Sequence, residues 1–232
     1  MIKLVSFALI FTSLGLSAEI LHVQGSTSPA ANIGDAVTQG QKFTTQANSQ
    51  LLLSPIAGVT LGLSQNTIVE ITEIDTSNGK KKVSVFLHQG TLLTDITSKV
   101  DFTLETPDQQ AIKAIGTSWS TSYDSGSGTS DIIVTNGTIQ VNTTKNSYNI
   151  TAAKIVVTDK NGNIALYDDL SKIPGNKYRE FIALITEVEA VIKTANNQGI
   201  ISANNFTTAL ITLQTLDTAL KAQTGDPVVS GF

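Results

Sequence analysis

Asp131-Ile132-Ile133-Val134-Thr135-Asn136-Gly137-Thr138-Ile139-Gln140-Val141 places two kinds of strand signal around one turn signal. Ile132 to Thr135 are all β-branched, and such side chains fit a pleated surface better than a helix. Beyond the turn, Ile139 and Val141 alternate with polar neighbours, so both face one side of a strand. Asn-Gly between such runs is a strong hairpin signal, because both residues tolerate positive φ.

The same pattern extends outward. Val59-Leu61-Leu63, Val83-Val85-Leu87 and Phe102-Leu104 alternate with polar residues, and Lys154-Ile155-Val156-Val157-Thr158 is a second β-branched run. Gly34-Asp35, Ser77-Asn78-Gly79, Gln89-Gly90 and Asn161-Gly162 read as turns. Ser122 to Ser130 reads as a flexible polar connection between strands. From Ile20 to Ile164 the chain is therefore expected to be mainly β, a sandwich or roll of many short strands. The period then changes. Tyr178, Phe181, Ile182, Ile185, Val188 and Ile192 follow helical spacing, and Gly199 is placed for a left-handed cap. Ser202 can cap a second helix carrying Phe206, Leu210, Leu213, Leu216 and Leu220. This C-terminal αα-hairpin is expected to pack on the β-domain or on another chain, since two helices alone bury only part of each stripe.

The 232 residues are 41% hydrophobic, enough for a real core, but only 15% are charged. That is below the roughly 25% usual for soluble domains. The net charge of -4 includes no basic patch, so nucleic acid is not an expected partner. Cysteine is absent, which removes disulfides, Cys-ligated zinc and thiol chemistry. No cofactor is expected.

Lys3, an apolar run from Leu4 to Leu16 and small residues Ser17 and Ala18 describe a secretory signal peptide. The run is short for a membrane span, which takes about 20 residues. Cleavage is expected after Ala18, with Ser17 as the alternative. No later segment reads as a span. The expected organisation is signal peptide 1–18, β-domain 19–165, helical hairpin 174–224 and a loose tail 225–232.

His22 and His88 have no second metal ligand at a recognisable spacing. No Gly-x-Ser-x-Gly or His-Glu-x-x-His is present. Gly58-Val59-Thr60-Leu61-Gly62 lies in a strand-like stretch, so its glycines point to a bulge or tight sheet packing rather than a phosphate loop. Asp95, Asp101, Glu105 and Asp108 would have to face one another across a cleft to act as a glycosidase pair. Asp168-Asp169 and Glu187 with Glu189 are further paired acids. Asp159, Asn161 and Asn163 echo the start of a calcium loop, but the closing Glu is replaced by Leu170, which favours a hairpin turn. The sequons at Asn136, Asn142, Asn149 and Asn205 read as chance in a chain rich in Asn and Thr. The chain is expected to be non-catalytic.

One ordered series of motifs adds to this. It runs Asn32-Ile33-Gly34-Asp35, Thr38-Gln39-Gly40-Gln41, Ser49-Gln50-Leu51-Leu52-Leu53, Thr60-Leu61-Gly62-Leu63, Phe86-Leu87-His88-Gln89-Gly90-Thr91-Leu92, Phe102-Thr103-Leu104-Glu105-Thr106-Pro107, Ala114-Ile115-Gly116-Thr117-Ser118-Trp119 and Ile133 to Val141. Over about residues 20 to 158 this resembles the FecR protein family domain. The resemblance marks Gly34, Asp35, Gly40, Gly90, Thr106, Pro107, Gly116, Thr117, Trp119 and Gly137 as motif positions, all with structural roles. It implies a β-rich extracytoplasmic domain. The family's best-known members are transmembrane regulators with a cytoplasmic anti-sigma segment, a plan this sequence departs from. The expectation is an exported module of the periplasm or cell surface that binds an envelope protein or polymer. Signalling through a separate membrane regulator and a self-associating surface protein, paired through its C-terminal helices, are the alternatives.

Overall fold

The computed structural model describes residues 18–108, 111–114, 116–175 and 177–224, and these form fifteen strands and two α-helices. The expected signal segment up to Ser17 and the tail from Gly225 lie outside them. The strands are β1 Glu19–Gln24, β2 Thr27–Ser28, β3 Lys42–Thr45, β4 Gln50–Ile56, β5 Val59–Leu63, β6 Ile68–Asp75, β7 Lys82–Ile96, β8 Asp101–Glu105, β9 Ala111–Ala114, β10 Ser118–Asp124, β11 Thr129–Asn136, β12 Thr138–Asn142, β13 Ser147–Thr151, β14 Lys154–Asp159 and β15 Ile164–Tyr167. The helices are α1 Tyr178–Asn197 and α2 Ala203–Thr224.

β7 organises the rest. It is 15 residues long and pairs in parallel with β8, Lys82 opposite Asp101. A straight strand of that length would run about 47 Å. The connection from Ile96 to Asp101 reaches at most about 18 Å. The strand must therefore curl until its end returns over its start. Gly90, at φ +88°, sits where it does so. Lys82 to Gln89 pair with β6, while Gly90 to Ile96 pair with β5 and β10. Gln89-Gly90 is thus not a turn between strands, as its composition suggested, but a bend inside one.

The bend splits the sheet into two layers. One runs β1-β4-β5-β7-β10-β11-β14-β15, and the other β2-β3-β6-β7-β8-β9-β12-β13. Every pairing except β7 with β8 is antiparallel. Phe43, Val69, Val85, Leu87, Phe102, Leu104, Ile139 and Val141 from one layer meet Leu51, Leu53, Leu61, Leu92, Trp119, Ile132 and Val134 from the other. Asn136-Gly137 also differs from its hairpin expectation. β11 pairs with β10 and β14, β12 with β9 and β13, so the dipeptide carries the chain from one layer to the other. Ser122 to Ser130 contracts to a tight hairpin, β10 ending at Asp124 and β11 starting at Thr129.

The helical hairpin covers the β1–β15 layer. Leu52, Leu93, Ile133 and Ile155 point away from the sandwich core into a second core with Phe181, Leu184, Ile185, Val188, Ile192, Leu213, Leu216 and Leu220. Full burial of each such side chain is worth roughly 1.5–3 kcal/mol. The stripe thus closes on the chain's own sheet. Gly62 lets the helix come close, since a Cβ there would lie 2.5 Å from Val191 Cγ1. The helix ends follow their sequence signals. Gly199, at φ +66°, receives α1, with Ile200 N–H donating to Ala195 O and Gly199 N–H to Asn196 O. Ser202 caps α2 by accepting from Asn205 N–H at 3.2 Å.

Gly90 and Gly40 share the same backbone region, but their surroundings differ. A Cβ on Gly90 would lie 2.6 Å from Thr67 Cα and 2.8 Å from Asn66 O, whereas one on Gly40 meets nothing within 4 Å. G40A should cost about 1 kcal/mol, the strain of a left-handed alanine, and G90A about 3 kcal/mol because backbone must also move. Thermal unfolding followed by circular dichroism should then show a Tm loss of about 3 °C for G40A and about 9 °C for G90A.

Candidate functional site

A bend between layers takes backbone groups out of ladder pairing, and threonine hydroxyls replace the missing partners. Thr45 Oγ1 accepts from Thr67 N–H at 3.0 Å and donates to Ser64 O. Thr67 Oγ1 accepts from Thr91 N–H at 3.0 Å. Thr91 Oγ1 in turn lies 3.1 Å from both Ser122 Oγ and Glu187 Oε2. Ser64 Oγ donates to Glu187 Oε1. Glu187 of α1 thereby has both oxygens engaged by hydroxyls of the bend, across 123 residues of sequence to Ser64 and 96 to Thr91. Glu189, its sequence partner, instead pairs with Lys193 on the same helix.

Beside this junction a groove of about 560 Å³ opens between α1 and the ends of β1, β4 and β5. Gln24, Asn48, Gln50, Gln65, Thr186 and Glu187 line it. Gln65 Oε1 accepts from Asn48 N–H at 3.0 Å, which fixes one wall. Gln50 Oε1 is shielded from solvent and accepts no hydrogen bond.

The other acids are held separately. Asp95 accepts from Ser118 Oγ and from Asn205 Nδ2 at 3.3 Å, tying β7 to the start of α2. Burial raises its pKa and those two hydrogen bonds oppose the rise. Asp108 is 1% exposed and accepts from Thr106 Oγ1, from Ser130 Oγ at 3.0 Å and from Thr158 Oγ1 at 2.6 Å. It joins the end of β8 to β11 and β14. Asp101 and Glu105 are exposed at the two ends of β8. Asp159 accepts from Asn161 N–H, Asn163 N–H and Asn163 Nδ2, so the β14–β15 turn uses both its oxygens. Asp168 pairs with Lys154 and Asp169 with Lys172. His88 Nε2 lies 2.9 Å from Glu70 Oε2 on the uncovered face of the second layer, and its ring packs on Phe86. His22 is half-buried on β1. Among the described residues no three His, Asp or Glu side chains gather as a metal site.

The motif positions fall at places where the chain changes direction or layer. Gly34-Asp35 forms a turn whose backbone exchanges hydrogen bonds with Ile20, covering the outer edge of β1. Gly40 N–H donates to Ile71 O at the entry to β3. Thr106 and Pro107 follow the end of β8. Gly116-Thr117 carries β9 of one layer into β10 of the other, and Thr117 Oγ1 donates to Thr138 O beside Gly137. Trp119 is fully buried, edge-on to Phe102 at 5.6 Å. The motif series thus leads to the bends, whereas Glu187, Gln24 and Gln65 fall outside it. Neither pairs of acids nor helical periodicity distinguishes Glu187 from an ordinary exposed helix carboxylate.

The class so defined is a two-layer β-fold with a helical hairpin on one face. Residues 41–140, from the entry of β3 into β12, match the family described as FecR protein. Two crystal structures of a "putative anti-sigma factor" from Parabacteroides distasonis ATCC 8503 are similar at 14% and 15% identity, each with a TM-score of 0.47. Each similarity covers 54% of this chain and 58% of that one, so this chain spans less than two thirds of it. No curated protein matches. No helix of the described residues is long and apolar enough to cross a membrane.

Asp131 of β11 supplies a pH-dependent contact between hairpin and sheet. Its Oδ1 accepts no hydrogen bond, and Oδ2 lies 4.0 Å from Lys177 Nζ just before α1. Burial pushes its pKa up to about 6, with Lys177 opposing and Glu180 and Asp124 adding to the rise. The folded chain therefore binds a proton there that the unfolded chain, near its ordinary 3.8, has released. This group stabilises the fold more as pH falls from above 6 towards 4, and its charged form is a cost at neutral pH. D131N should melt higher than wild type at pH 7.5, and the gap should narrow to about half at pH 5, because the unfolded carboxyl still releases its proton down to about pH 4. Calorimetric melting at both pH values checks this.

Proposed function

We propose that the chain is an exported, non-catalytic binding module of the bacterial cell envelope. The FecR match over residues 41–140 carries this reading. Its support in the fold is that the buried acids Asp95 and Asp108, and the half-buried Glu187, act as acceptors that hold strands and helices together. Capture on the immobilised chain from a detergent extract of the envelope tests it. The same protein or polymer should be recovered in repeated preparations and displaced by excess soluble chain. Repeated recovery of nothing displaceable would sink the proposal.

The FecR match also favours a second reading, extracytoplasmic signalling through a separate membrane regulator. Deleting the gene should then alter one set of sigma-dependent transcripts, and an unchanged transcriptome would remove this reading.

In an exported chain, one backbone hydrogen bond bears on where the signal is cut. Ala18 O accepts from Val37 N–H at 2.9 Å, and Val37 is 3% exposed. Cleavage after Ala18 would strip a buried N–H of its partner, a cost of about 1–3 kcal/mol. Cleavage after Ser17 keeps the bond and puts the small residues Gly15 and Ser17 at the two positions that signal cleavage selects. This backbone contact favours the Ser17 cut over the Ala18 cut. Intact mass of the exported protein should correspond to a chain starting at Ala18, and a start at Glu19 would count against it.

A further inference from the structure

We infer that the groove beside α1 binds a neutral, hydroxyl-rich ligand of the carbohydrate class. The inference rests on the binding-module reading and names what the module binds.

The lining decides the chemistry. Gln24, Asn48, Gln50 and Gln65 present four carboxamides, each able to donate and accept, and no lysine or arginine lines the groove. The only ionisable lining group is Glu187, and its two oxygens already accept from Ser64 and Thr91. A fixed carboxylate with no cation beside it disfavours phosphate or a carboxylated ligand. Side-chain amides suit a polyol, whose hydroxyls also donate and accept.

Gln50 supplies the second observation. Its Oε1 is closed off from solvent without a hydrogen-bond partner. An unmatched buried acceptor is costly, so the half-buried Gln50 carboxamide gains a partner by turning Oε1 into the groove to meet a ligand O–H. The helix wall argues against a peptide. Ala183 and Ala190, one to either side of Thr186-Glu187, leave no deep apolar pocket for a side-chain anchor. They offer instead a shallow apolar strip of the kind the C–H face of a sugar ring covers. The groove, at about 560 Å³, lies within the roughly 300–1,000 Å³ usual for small-ligand sites.

The test uses the full mature chain and saturation-transfer NMR, followed by calorimetric titration. The probes are neutral tetrasaccharides of N-acetylglucosamine, β-linked glucose and α-linked glucose, with a neutral Ser/Asn/Gly hexapeptide as the peptide arm. At least one tetrasaccharide should bind, and both Q50M and Q24A should weaken it about tenfold or more with Tm unchanged. Q24A alters an exposed side chain and keeps the test valid if Q50M fails to fold. Binding of no tetrasaccharide, equal binding by wild type and Q24A, or binding of the hexapeptide alone would overturn the inference. If envelope capture still recovers a partner in any of those cases, the module reading stands and only its ligand class has failed.

Discussion

Thr67 and Thr91 hold the bend on which the rest of this structure depends. β7 can serve two layers only if its backbone leaves one ladder before it joins the next. At the crossing, N–H and C=O groups face neither partner strand. Leaving them unmatched in the interior would cost about 1–3 kcal/mol each. Thr67 Oγ1 takes up the N–H of Thr91, and Thr45 Oγ1 takes up that of Thr67. Thr117 and Thr135 do the equivalent at the opposite corner, donating to Thr138 O and Ser118 O. Gly90 completes the arrangement, because no side chain fits between β7 and the Asn66-Thr67 backbone.

This gives the low charge and high hydroxyl content a structural meaning. A sheet folded over itself has many short corners, and each corner needs small acceptor-donor groups that survive burial. Thr and Ser meet that need with one rotatable O–H. Carboxylates enter the interior where side-chain donors converge, as Ser130, Thr158 and Thr106 do on Asp108 and Ser118 and Asn205 on Asp95. Asp131 is the departure from this rule. Its environment offers a cation at 4.0 Å but no hydroxyl for Oδ1, and its proton affinity rises accordingly.

The sequence was most legible where a local rule decides the outcome. Helical spacing, the Gly199 cap and the Ser202 cap need only neighbouring residues, and the structure has all three. It was least legible where one local conformation serves two global ends. Positive φ at Asn136-Gly137 suits a hairpin and a layer crossing equally, and which one occurs depends on strands β9 and β14 far along the chain. Gln89-Gly90 has the same ambiguity. The groove was hidden for a related reason. Gln24, Gln50 and Gln65 are common surface residues until β1, β4, β5 and α1 bring them together, and the contact of Glu187 with Ser64 spans 123 residues.

Two strand patterns in the chain also acquire distinct meanings. Val83, Val85 and Leu87 alternate with Lys82, Ser84 and Phe86, and this half of β7 lies in the layer with no helix over it. Leu51-Leu52-Leu53 and Ile132-Ile133-Val134 are continuous, and their middle residues, Leu52 and Ile133, are the ones that meet the hairpin. A strand apolar on one face needs one apolar neighbour layer, and a strand apolar on both needs two. The unbroken runs therefore require a cover, and α1 and α2 provide it from the same chain. That cover is held in place by polar contacts at both ends of the sheet, Glu187 with Ser64 and Thr91, and Asn205 with Asp95. Covering the centre of one layer with two helices leaves its β1 and β4 margin open beside α1, and it is this mismatch in width that makes the groove.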